Sequence, residues 1–212
     1  MKLLATCLTA ALLAIPVFST FAAAEGVPVA KVAKPDLVSG EAKYTALCVA
    51  CHGVDGNSGV PVNPKLAQQH PEYLVKQLQE YKAGKRKNPI MQGMAATLND
   101  DDMKNIAYWA TSKKIVPGFA KDKELVALGE RIYRGGIADR QISACAGCHS
   151  PTGSGIPSQY PRLSGQHADY TAAQLTSFRD GLRQNSLQMS QVAAKLNDRE
   201  IRALSDYIAG LR

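Results

Sequence analysis

One long apolar run opens this chain, from Leu3 to Phe21, and none like it follows. Beyond it the apolar positions fall into short stretches broken by Pro, Gly and Asn, a pattern that predicts helices with long loops between them. The first helix is expected from Leu37 to Leu47, leading straight into Cys48, with a counterpart from Lys123 to Tyr133. A second opens at Pro71, a favoured first-turn residue, and stops near Gly84; its counterpart runs from Ala168 to Gly181. The third follows Asn99, with Asp102 three residues on, and Asn197 with Glu200 repeats that arrangement. Such a cap stabilises a helix by about 1 kcal/mol. These last helices are expected to reach Ser112 and Leu211, and no stretch reads as a sheet.

The pattern occurs twice. From His52 to Asn88, adding 97 gives a matching residue at many positions. Pro64-Lys65-Leu66 pairs with Pro161-Arg162-Leu163, Gln69-His70 with Gln166-His167, and Tyr73, Gln77, Leu78 and Gly84 with Tyr170, Gln174, Leu175 and Gly181. A one-residue insertion then shifts the offset to 98, pairing Leu98-Asn99-Asp100 with Leu196-Asn197-Asp198. Upstream the offset is 89, so the second half carries eight extra residues around Gly135 to Ile142. Two domains are expected, 34–114 and 122–212, joined by a linker over 115–121. Each is small and rich in loop, so a covalently tethered group that fills its centre would act as a staple.

Each half holds one Cys-x-x-Cys-His motif, Cys48-Val49-Ala50-Cys51-His52 and Cys145-Ala146-Gly147-Cys148-His149. That pentapeptide is the attachment signature of c-type haem: each thiol adds to a vinyl group, and the adjacent His is set under the iron. A redox disulfide or a four-cysteine zinc site would use the cysteines, but neither requires His after both pairs. The expected cofactors are therefore two covalently bound haem c groups.

The amino-terminal run follows Lys2 and ends in Ala22-Ala23-Ala24, which reads as a signal peptide over 1–24. Its length is near the lower limit of about 18 residues for a membrane span; Pro16 and the small-residue exit favour cleavage. Cys7 leaves with it, and the four remaining cysteines all lie in the motifs. A periplasmic location follows, compatible with peripheral membrane association. The chain has 25 Lys and Arg against 18 Asp and Glu, or +7. Haem propionates offset most of this charge, and no aromatic-basic module accompanies it, so nucleic acid is not an expected partner.

Registration of the repeat selects the second axial ligands. Adding 98 to Met91 gives Met189, whereas Met94 maps to Val192 and Met103 to Ile201. Met91 and Met189 are expected in a loop before the last helix, and Met94 as a packing residue. His70 and His167 also occupy equivalent positions, so bis-His ligation is arithmetically open; their place just before a helix reads as loop packing. Pro64 and Pro161 have two readings, an ordinary turn or a carbonyl that holds the ligand histidine's second nitrogen.

These segments, with Asp55-Gly-Asn-Ser58, Ile90-Met91-Gln-Gly-Met94, Tyr160-Pro-Arg-Leu-Ser-Gly-Gln-His167 and Gln188-Met189-Ser190, resemble the cytochrome c4 family of dihaem class I cytochromes c. The resemblance implies an all-α fold of two tandem cytochrome c-like domains, related by a pseudo-twofold axis and each wrapped around one covalent haem. It implies His52 with Met91 and His149 with Met189 as axial iron ligands, and Pro64 and Pro161 carbonyls accepting from the two histidines. One departure stands out: Gln68-Gln69 occupies the place of the family's usual Gly-Gln.

His/Met ligation fills both axial positions, which favours outer-sphere electron transfer and no catalytic residue. The resemblance further implies a monomer that takes electrons from a quinol–cytochrome c reductase and passes them to a haem–copper terminal oxidase. Two other readings compete: an electron-transfer subunit docked on a dehydrogenase or oxidase, and a dihaem peroxidase. The peroxidase needs one iron able to open, against which the paired methionines argue.

Overall fold

The computed structural model describes residues 34–212, which form one compact unit. The segment read as an export signal lies outside those residues. The first half contains α1 (Leu37–Leu47), α2 (Val49–His52), α3 (Pro71–Lys82), α4 (Pro89–Ala96) and α5 (Asp100–Thr111). The second repeats them as α6 (Lys123–Gly135), α7 (Ala146–His149), α8 (Ala168–Arg179), α9 (Leu187–Ala193) and α10 (Asp198–Gly210). Among the described residues there is no strand, only the isolated bridges Ile137–Ile142 and Ile156–Tyr160.

Local chemistry starts these helices. The Asp36 carboxylate accepts from the Val38 and Ser39 amides, and Asp122 does the same for Glu124 and Leu125. Full capping boxes open α5 and α10, Asn99 with Asp102 and Asn197 with Glu200. In each half the last helix is the brace: α5 packs on α1 and α3, and α10 on α6 and α8. Glycine allows the first of these crossings. A Cβ on Gly40 would lie 2.3 Å from the Asn105 carbonyl oxygen, and one on Gly129 would lie 2.1 Å from that of Ala203. Aromatic pairs fill the space beside them, Tyr44 with Trp109 and Tyr133 with Tyr207.

Two features depart from the three-helix expectation. The short α4 and α9 stand where a loop was expected, and the motif histidines close one-turn helices of their own. The second half's extra residues fold as a bridged loop with a 3-10 turn at Ala138–Arg140. That loop is tied to the start of α10, with Arg140 paired to Glu200 and Lys195 Nζ donating to the Gln141 carbonyl.

The halves meet through a twofold polar network. Arg86 donates to Gln77 of its own half and to Tyr170 and Gln174 of the other, at 2.8, 2.9 and 2.8 Å. Its repeat mate Arg183 donates to Gln174 of its own half and to Tyr73 and Gln77, at 2.7, 3.1 and 3.2 Å. Both arginines are buried, each guanidinium lying over an aromatic ring, Tyr81 or Phe178. Burial alone would raise the Tyr73 phenol, but the nearby charges of Arg183 and Arg86 outweigh it and pull it below its ordinary value. Residues 34–114 contain ten lysines and a single arginine, Arg86, whereas 122–212 contain nine arginines and two lysines. The one arginine of the lysine-rich half thus stands where a planar fork must reach three acceptors.

Arg86→Lys should therefore behave as a non-conservative change. A compact ammonium cannot span Gln77, Tyr170 and Gln174, and hydrogen bonds to a charged donor are worth about 1.5–3 kcal/mol. Guanidinium unfolding of the holoprotein should show a loss of about 2–3 kcal/mol, and calorimetry should show the single transition broadening as the halves uncouple. An unchanged midpoint and width would remove this network from the interface's stability.

Candidate haem-binding sites

Each motif cysteine pair lies at the start of a one-turn helix, so its two thiols stand about a turn apart. Cys51 and Cys148 are exposed, and Cys48 and Cys145 are partly covered. Burial pushes the Cys48 and Cys145 thiols up to about 11. A buried tyrosine of the preceding helix pins each motif's far end: Tyr44 donates to the Gly53 carbonyl at 2.9 Å and Tyr133 to that of Ser150 at 2.7 Å.

His52 and His149 are both buried. His52 Nδ1 lies 2.9 Å from the Pro64 carbonyl oxygen, and His149 Nδ1 lies 2.9 Å from that of Pro161. A carbonyl oxygen only accepts, so Nδ1 carries the proton and Nε2 keeps its lone pair. Burial holds both imidazoles below their ordinary range, against the raising effect of the proline contact. A neutral ring with a free Nε2 is the form that binds a metal. The proline loop is itself anchored. The Gly56 carbonyl accepts from the Leu66 and Ala67 amides, and the Gly153 carbonyl from those of Leu163 and Ser164.

Met91 and Met189 occupy the same position in α4 and α9, the third helical residue. Asn88 caps α4 and accepts from the Met91 amide at 3.0 Å; Ser186 caps α9 and accepts from the Met189 amide at 3.4 Å. Both methionines are partly buried, whereas Met94 is 42% exposed. The signal for α4 was present in the sequence as Asn88-Pro89, an N-cap residue followed by proline in the first turn. Within each half, α2 packs on α1 and α7 on α6, while α4 packs on α3 and α9 on α8. The brace helix therefore carries both arms.

Sequence spacing missed what the paired Gln-His dipeptides do. Gln166 takes the Lys65 amide at 2.9 Å and donates to the Lys65 carbonyl at 3.0 Å. Gln69 grips Arg162 in the same way, at 2.8 and 2.9 Å. Lys65 and Arg162 are the residues after the two prolines, so the proline loop that supports each half's motif histidine is held by the other half. His70 and His167 reach across as well, to the Ser154 and Ser58 carbonyls at 2.9 and 2.8 Å. These are interface residues rather than ordinary loop packing.

The donor set fits haem c in both halves. Two thiols and a neutral histidine come from one turn, and a thioether comes from a capped helix. Apolar side chains beside those methionines, Ile90 and Leu187, are left largely uncovered by protein. The two cysteine pairs stand on separate helices, and among the described residues no three His, Cys, Asp or Glu side chains gather as a metal cluster.

Comparison with known proteins agrees with this chemistry. The cytochrome c family model matches residues 37–112 and again 126–212. Cytochrome c4 of Azotobacter vinelandii is 48% identical, covering 83% of this chain and 89% of that one. The chain belongs to the cytochrome c4 family. The crystal structure of reduced recombinant cytochrome c4 from Pseudomonas stutzeri superposes with a TM-score of 0.80 at 46% identity, covering 84% of this chain and all of that one. A thiosulfate dehydrogenase electron acceptor of Stutzerimonas stutzeri is 36% identical over 77% of this chain and 78% of its own. The chain is accordingly a c-type electron-transfer protein and not an enzyme, built of two cytochrome c domains.

The Gln68 departure has a conformational cost. Gln68 has φ +54°, and its repeat mate Gly165 has φ +75°, the left-handed region that glycine enters freely. For other L-residues that region costs about 1–2 kcal/mol, partly offset because glycine loses more entropy on folding. Gln68→Gly should raise the unfolding free energy of the holoprotein by about 0.5 kcal/mol, and Gly165→Gln should lower it by a similar amount. Denaturant midpoints moving the other way would show that the side chain of Gln68 outweighs its backbone.

Proposed function

We propose that the chain carries two covalent haem c groups, tethered by Cys48 and Cys51 and by Cys145 and Cys148. His52 and Met91 serve as axial ligands to one iron and His149 and Met189 to the other. The observation that carries this reading is the duplicate arrangement itself: in each half a neutral histidine is fixed through Nδ1 by a proline carbonyl, and a methionine amide is fixed by a helix cap. Pro64 and Pro161 act as orienting groups for the histidines, and the domains divide at the irregular segment 115–121. Bound haem supplies a one-electron iron couple. The chain's own residues would fill both axial positions, keep the imidazoles neutral and hold the two sites in one compact unit.

The physiological task we infer is electron carriage in the periplasm, after removal of residues 1–24. Electrons pass one at a time from a quinol–cytochrome c reductase to a haem–copper terminal oxidase. A second reading is favoured by the 36% identity to a protein that accepts electrons from thiosulfate dehydrogenase: this chain would then serve a periplasmic dehydrogenase as its docked or dissociable acceptor. Copurification from native membranes, followed by reduction kinetics with each purified donor, distinguishes the two.

Intact mass of the purified protein should exceed that of the chain from Glu25 onward by two haems, and acid–acetone should extract neither. A one-haem mass, or stoichiometric zinc, would overturn the cofactor reading. Retention of Met1 would overturn cleavage of the amino-terminal segment.

Met91→Ala and Met189→Ala should each remove about half of the weak near-infrared band of thioether-ligated ferric haem, since each supplies one of two equivalent sulfur ligands. Met94→Ala should leave it intact. Loss of the band in Met94→Ala with retention in Met91→Ala would shift the ligand assignment by one helical turn.

A further inference from the structure

The twofold match between the halves breaks at one residue. Asn88 and Asn185 match in the repeat, each two residues after its arginine, and Asn88 is the cap of α4. In the second half the extra residue Ser186 takes over the cap of α9 and leaves the Asn185 side chain free of that role. Asn185 reaches into the first half. Its side-chain amide donates to Glu80 at 2.6 Å and to Gln77 at 3.0 Å, and its backbone carbonyl accepts from Lys76 Nζ at 3.4 Å. Lys76 also pairs with Glu80 at 2.7 Å, and Arg183 Nε donates to the Asn185 side-chain oxygen at 2.9 Å. Asn185 directly precedes Ser186, whose hydroxyl caps the Met189 amide.

Nothing equivalent holds the first half. The repeat mates of Lys76 and Glu80 are Ala173 and Ser177, which have no charged head to offer. Among the described residues, Lys87–Ala96 makes no hydrogen bond to the second half, although Arg86 just before it does. Where the symmetric strap would lie, there is a cleft of about 310 Å³ whose lining includes Lys87, Asn88, Pro89, Gln174 and Ser177.

We propose that Asn185, released from capping by Ser186, is a positioning residue that straps the Met189 helix to α3, so that Met91 is the more exchangeable of the two iron ligands. This rests on the ligand assignment proposed above. Freeing a methionine from its iron requires its short helix to move. For α9 that motion breaks charge-assisted bonds to the other half, and for α4 it does not. The first site is then the one at which an added ligand enters.

The test is an imidazole titration of the ferric holoprotein, following loss of the near-infrared thioether band. Met189→Ala leaves only the first site visible, and Met91→Ala only the second. The half-loss concentration should be about tenfold lower for the first site, the scale of one hydrogen bond to a charged group. In the Met91→Ala background, Asn185→Ala should lower the second site's midpoint by about tenfold, and Glu80→Ala should do the same. The same changes in the Met189→Ala background should leave the first site unmoved. Equal midpoints at the two sites would overturn the strap, as would a response of both sites to Asn185→Ala. A band that survives both Met91→Ala and Met189→Ala would instead overturn the ligand assignment beneath it.

Discussion

Pro64 and Pro161 present carbonyl oxygens, and each receives the Nδ1 proton of the histidine that closes a Cys-x-x-Cys-His helix. This contact decides which imidazole nitrogen keeps a free lone pair, and so which one would meet the iron in the proposed sites. It depends in turn on the neighbouring domain, because the next residue, Lys65 or Arg162, has both backbone groups bonded by a glutamine from the other half. A typical hydrogen bond contributes about 1 kcal/mol net, so the four glutamine bonds together are comparable with a sizeable share of a small domain's stability. Loosening the interface therefore loosens the support of both histidines. Site and interface are one structure here.

The character of that interface follows from the size of the parts. Each half already commits its apolar side chains to a small core, around Tyr44 and Trp109 or around Tyr133 and Tyr207. What remains to join them is polar backbone and a few long side chains. Burying such groups is costly unless each finds a partner, and here they do so in reciprocal pairs: Gln69 with Arg162, Gln166 with Lys65, and Arg86 and Arg183 each shared between both halves. Directional bonds of this kind are satisfied in one register only. An apolar seam would hold the halves together without fixing their rotation, whereas two electron-transfer sites on one chain work at a fixed separation.

The long helices were legible because their signals are local. The Asn caps, Pro71 and the stop near Gly84 lie within a turn of the boundaries they set, and the repeat supplied the caps and the stop twice. The equivalence of the motif histidines, and of Met91 with Met189, was also legible, from spacing and registration alone. Helices α4 and α9 were read as loop because seven or eight residues hold too few turns for a periodic pattern, although Asn88-Pro89 marks the start of the first. The interface was not legible at all. His70 bonds a residue 84 positions away and Gln166 one 101 positions away, and nothing near either residue in the chain specifies its partner. A matched repeat reveals that two positions are equivalent; it does not reveal that each contacts the other's domain.

Equivalence of the proposed ligands does not make the two sites equivalent. Tyr160 lies edge-on to His149, and the first half has Asn63 at that position of the repeat. Asp55 and Asn57 are replaced by Thr152 and Ser154, which changes the charge near the motif loop. The bridged loop at 137–142 braces only the second half. Reduction potentials respond to charge, hydrogen bonding and burial around a haem as well as to its axial ligands. For a one-electron couple about 59 mV is a tenfold change in equilibrium constant, which is the scale of a single hydrogen bond to a charged group. Differences of this size between the halves are enough to bias where an electron rests. The same reasoning applies to ligand exchange: the free energy that holds a methionine on its iron includes the cost of opening the helix that carries it. A duplicated gene can thus preserve both proposed ligand sets and still separate the behaviour of its two sites, through one inserted residue and the asparagine it frees to reach a carboxylate.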